Sequence, residues 1–101
     1  MIQIHGKIEG DKVFLESTQL HGMVTGSVTV ASGVELELHG TICRDLHVLH
    51  NATVYLHGTV GGNVVNDGGT IDVFGVVRKQ LLDNSGTTTI HTDAIISGIR
   101  R

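Results

Sequence analysis

The chain has 101 residues, fourteen of them Gly and none Pro, with seven Lys plus Arg against ten Asp plus Glu for a formal net charge of −3. So short a chain is a single domain, 1–101, and it lacks the basic surface needed to neutralise a row of phosphates, which excludes nucleic acid as the expected partner. No apolar run approaches the ~20 residues of a membrane span, and the lone cysteine, Cys43, rules out an intrachain disulfide and fits a reducing cytoplasm.

The N-terminal Met1-Ile2-Gln3-Ile4-His5 alternates like a strand and lacks the basic and apolar segments of a secretory leader. Ile4-His5-Gly6 then opens a ladder. Leu20-His21-Gly22 follows sixteen residues later, and Leu38-His39-Gly40 and Leu56-His57-Gly58 follow at steps of 18. Val73-Phe74-Gly75 and Ile90-His91-Thr92 continue at steps of 17. Written in rows, the chain forms turns 4–19, 20–37, 38–55, 56–72 and 73–89, with a partial sixth from Ile90.

The rows align apolar columns. Ile4, Leu20, Leu38, Leu56, Val73 and Ile90 form the first. Ile8, Val24, Ile42, Val60 and Val77 form the second, and Val13, Val28, Leu46, Val64 and Leu81 the third. A weaker fourth holds Leu36, Val54 and Ile71 between Thr18 and Thr88. Three corners recur in each row. Gly follows the His column; a short polar residue follows at Asp11, Ser27, Asp45 and Asn63; and Ser32-Gly33, Asn51-Ala52, Gly68-Gly69 and Ser85-Gly86 mark the third. Glycine's tolerance of positive φ and the local bonding of Asn, Asp and Ser suit tight bends.

Segments between corners are four to six residues long and alternate in and out, as in Val34-Glu35-Leu36-Glu37-Leu38. With aromatics at only 3%, Val, Ile and Leu must fill the core, and with Thr they favour strands. The expected fold is all-β: a three-sided parallel β-helix, or β-solenoid, of five to six coils of 16–18 residues. One coil cannot bury its own inner face, so coils stack into one continuous core. A sandwich of hairpins would place turns every 8–12 residues without repeating one tripeptide every 18. Asn66 and Asp83 fall where other rows have Val30 and Val48, and they either turn into a corner or stack as a short polar ladder.

The segments Leu56-His57-Gly58-Thr59-Val60-Gly61-Gly62-Asn63-Val64 and Gly22-Met23-Val24-Thr25-Gly26-Ser27-Val28 resemble the bactofilins, polymer-forming bacterial cytoskeletal proteins. The resemblance is one of pattern and runs over about residues 4–98. It implies a right-handed β-helix and nucleotide-free self-assembly in the cytoplasm. The expected function is therefore structural and non-enzymatic, with copies associating end to end or side by side. The alternative is a small partner-binding module, such as an immunity or inhibitor protein of a bacterial toxin system.

Seven histidines are the unusual enrichment, and five of them, His5, His21, His39, His57 and His91, share one column beside inward leucines. Alternation points that column outward, with rungs ~5 Å apart. It can be a stacked ring ladder, a pH-responsive row of like charges, or a metal site in which two neutral imidazoles share Zn²⁺. The ladder itself offers no third ligand; Asp45, His47 and His50 lie in the middle coil. No cofactor, metal or catalytic residue is assigned. Hexapeptide-repeat enzymes place an aliphatic residue every six positions, whereas stepping from Leu56 meets Gly62 and Gly68. Phosphate-loop, dinucleotide and nucleophile-elbow motifs are absent. Cys43 should face out, and Glu35 and Glu37 fit a solvated strand face. The ends of a β-helix are sheet edges that must be capped or paired. Ile2 and Ile4 at one end and Ile95, Ile96 and Ile99 at the other are the candidate end-to-end interface.

Overall fold

A computed structural model describes residues 2–100, with side chains described as far as Ser97. The described residues form fourteen strands and no helix, joined in one sheet whose pairings are all parallel. No helix here is long and apolar enough to cross a membrane. The chain is a three-faced β-solenoid with six stacked rungs on each face.

The first face carries Ile2–Ile4, Thr18–Leu20, Glu35–Leu38 and Thr53–Leu56, then residues 70–73 and 87–90 within the long strands Val64–Val73 and Val76–Ile90. Its register runs Ile2, Thr18, Leu36, Val54, Ile71, Thr88. The second face carries Lys7–Ile8, Met23–Val24, Thr41–Ile42 and Thr59–Val60, then residues 76–77 and the start of Ile95–Arg100. The third carries Lys12–Phe14, Val28–Val30 and Leu46–Val48, then residues 64–66, 81–82 and 99–100.

Period-two alternation puts every second side chain inside. Leu20, Leu38 and Leu56 of the ladder column are fully buried, as are Val24, Ile42 and Val60 of the second. Each such burial is worth ~1.5–3 kcal/mol against exposure, and no coil could obtain it alone. The third column differs from expectation in its first member. Val13 pairs with Thr29 and is 51% exposed, while Phe14 pairs with Val30 and is buried. The first coil holds a constant step of sixteen, Ile4 to Leu20, Ile8 to Val24 and Lys12 to Val28. Placing Val13 over Val28 shortens that step by one, and a one-residue slip sends a strand residue to the opposite face. The inward position at this rung belongs to Lys12, whose Nζ lies 5.9 Å from the Phe14 ring centroid at the open end of the stack.

The corners use three different chemistries. At the first, the expected freedom to adopt positive φ is not what Gly22, Gly40, Gly58 and Gly75 supply, since none has positive φ. The coils approach so closely there that a Cβ on Gly40 would lie 1.7 Å from the Gly22 carbonyl oxygen. In the last coil Thr92 holds this place. The corner there widens: Val73 to Ile90 is a step of 17, but Val76 to Ile95 is a step of 19. At the third corner positive φ is required, and Gly33, Asn51, Gly68 and Gly86 adopt it.

The second corner is a relay of side chains. The Ser27 N–H donates to Asp11 Oδ1 (2.7 Å), the Asp45 N–H to Ser27 Oγ (3.3 Å), the Asn63 N–H to Asp45 Oδ1 (2.8 Å) and the Gln80 N–H to Asn63 Oδ1 (3.1 Å). Each coil thus satisfies a backbone donor of the next at a bend where strand pairing lapses.

Candidate functional site

The Leu-His-Gly ladder positions its imidazoles by simple geometry. The leucine points in, the next residue points out, and the close glycine corner holds successive coils in register. His5, His21, His39, His57, Phe74 and His91 accordingly form one stack of six rings on the surface. Centroid separations are 4.9, 5.0 and 5.0 Å among the first four, then 4.6 Å to Phe74 and 3.9 Å to His91, and no interplanar angle exceeds 9°. The ring faces cover one another and the ring edges meet solvent.

This arrangement is unsuited to a shared metal. Equivalent nitrogens on parallel rings at this spacing leave a midpoint about 2.5 Å from each, beyond the ~2.0–2.1 Å of a zinc–imidazole bond. Asp45, His47 and His50 are not gathered beside the stack, and the described residues contain no group of three His, Cys, Asp or Glu able to hold a metal ion. Two carboxylates do flank the column. Glu37 lies 3.7 Å from His39 Nε2 and accepts from Gln19 Nε2 at 3.3 Å, and Asp72 lies 3.2 Å from His91 Nε2. Both contacts become ion pairs when the ring is protonated. Cys43 is exposed, as its place after inward Ile42 requires.

A second polar cluster, without a sequence motif to announce it, joins three coils around Asp67. Asn84 Nδ2 donates to Asp67 Oδ1 at 2.9 Å, and His47 Nε2 lies against the other oxygen. The Asn84 hydrogen bond first, and the His47 contact second, hold the Asp67 carboxyl below its ordinary value against an opposing contribution from desolvation. A depressed carboxyl stabilises the fold above the unfolded-state value near ~3.9, and that contribution is lost as pH falls through the folded-state value. The side chain is 37% exposed, so solvent screening keeps the effect small. Between pH 5 and pH 2, the stability difference between the parent and Asp67→Asn should therefore narrow on acidification, read by urea unfolding. A difference that widened would contradict the assignment.

At the two ends the candidate interface residues separate into two kinds. Ile2 and Ile95 are 44% and 62% exposed, whereas Ile4 and Ile96 are half-buried against the core. The backbone of Ile99 pairs with Leu81, but its side chain lies outside those described. Leu15, at 74%, is the most exposed large apolar residue of the first coil. With Val13 and Ile2 it borders an open cavity of about 390 Å³ on the N-terminal end. The signal for this patch in the sequence is the step of sixteen from Ile4 to Leu20, which, held through the first coil, turns Val13 outward.

No family model matches the chain, and no curated protein or solved structure shows significant similarity to it.

Proposed function

We propose that the chain is a non-enzymatic structural protein of the cytoplasm, bactofilin-like in kind, that self-associates through the ends of its solenoid. The observation that carries this reading is the state of the end strands. Among the described residues, Ile2–Ile4, Lys7–Ile8 and Lys12–Phe14 each pair on one side only, as do residues 87–90 at the opposite end. Unpaired strand edges beside exposed Ile2, Val13 and Leu15 are templates for further pairing. The stacked imidazoles, with their faces covered and no third ligand, favour a surface scaffold over a catalytic centre.

Sedimentation and electron microscopy of the purified chain test the proposal. Concentration-dependent oligomers or filaments are expected. A monomer at every concentration would sink it and favour the partner-binding module, such as a toxin's immunity protein.

A further inference from the structure

We infer that copies meet head to tail, the first coil of one seated on the last coil of another in the same parallel register that joins coils within the chain. This inference rests on the self-association reading and adds to it a polarity.

Charge along the solenoid axis is the first ground. Residues 1–37 carry Lys7 and Lys12 against Glu9, Asp11, Glu16, Glu35 and Glu37, a balance of −3. Residues 38–72 carry Arg44 against Asp45, Asp67 and Asp72, a balance of −2. Residues 73–97, the last whose side chains are described, carry Arg78 and Lys79 against Asp83 and Asp93, a balance of 0. Two coils rise ~10 Å at ~4.8 Å each, about one screening length in physiological salt, so the terminal pairs of coils are the charges a junction feels. An N-terminal end on another N-terminal end opposes −3 with −3. Head to tail sets −3 against a neutral end, without that repulsion.

Continuity is the second ground. Both ends expose apolar side chains, Ile2, Val13 and Leu15 at one and Ile90 and Ile95 at the other. The ring column is also open at both ends, at His5 and at His91. In the parallel register, His5 of one copy continues the stack on His91 of the next, and Gln3 stands over Thr89. Gln3, Gln19, Glu37, Tyr55, Asp72 and Thr89 already form one outward column. A two-fold end-to-end junction would pair strands antiparallel and break both columns.

Disulfide trapping decides the polarity. In a Cys43→Ser background, Gln3→Cys and Thr89→Cys each place one thiol in the exposed column. Across a head-to-tail junction the two Cα atoms stand ~4.8 Å apart, inside the ~4.4–6.8 Å range of a disulfide. Mild oxidation should give a mixed dimer when the two variants are combined and no dimer from either alone. Sedimentation of the Cys43→Ser parent is read first. A parent monomeric at every concentration removes the self-association reading and the polarity with it. An assembled parent whose variants cross-link to themselves, or form no disulfide, overturns only the polarity.

Discussion

Replacing Gly40 by alanine should lower stability by at least ~3 kcal/mol, enough to unfold much of a marginally stable chain. The added methyl would sit 1.7 Å from the Gly22 carbonyl oxygen, and the obstacle is backbone, which cannot rotate aside. Relief requires the coils to part at that corner. Parting them would stretch the neighbouring contacts, in which the Thr41 N–H donates to Gly22 O at 3.0 Å and the Gly40 N–H to Leu20 O at 3.1 Å. The last coil shows the other escape: with Thr92 in place of glycine, the corner takes two extra residues to step outward. A point mutant has no such residues to add. Gly6→Ala is the control. It meets open space but has φ +94°, so it should cost only ~1–2 kcal/mol of left-handed strain. Urea unfolding followed by circular dichroism compares the two. A Gly40→Ala protein within about 1 kcal/mol of the parent would remove close coil approach as the reason for this glycine column.

The second large effect is expected inside the core. Asn66 is fully buried in the inward column that holds Val30 and Val48 in earlier coils. Its Oδ1 accepts the Gly69 N–H at 2.8 Å, and its Nδ2 lies within bonding reach of Gly69 O (3.2 Å), Thr87 O (3.3 Å) and Thr88 Oγ1 (3.0 Å). These contacts tie the third corner of the fourth coil to the first face of the coil above. Asn66→Ala leaves a buried donor and acceptors without partners and opens a cavity, a loss of ~2–4 kcal/mol. Asn66→Val restores the apolar shape of the column but still orphans the Gly69 N–H, so it should recover only part of that loss. A valine variant as stable as the parent would mean that the column wants volume alone and that the amide network contributes nothing.

These two sites also mark where the sequence is legible. Leu20, Leu38 and Leu56 recur at one interval, and a single interval suffices to infer stacked coils and an outward histidine column, because side-chain direction in a strand has period two. The reason for the glycines was hidden, since sequence cannot distinguish a glycine needed for φ from one needed for clearance. Which of the adjacent apolar residues Val13 and Phe14 points inward is not legible in sequence, because the first coil is shorter than its neighbours and both fit the apolar column equally well. Asn66 was legible as an exception in its column but not in its partners. Those depend on how the third corner folds back, which the pairing shifts between Asn66 and Thr70 record. The Asp67 cluster draws His47 and Asn84 from twenty and seventeen residues away with no repeated pattern.

The relay at the second corner also makes chain length an adjustable quantity. Because Asp11, Ser27, Asp45 and Asn63 each cap the coil that follows, the second, third and fourth coils present the same request below and the same offer above. An in-frame duplication of one 18-residue row, such as 38–55, would preserve every column, corner and relay bond while lengthening the rod by ~4.8 Å. The distance between the two ends could thus change by duplication or loss of a coil while the chemistry of the ends stayed the same.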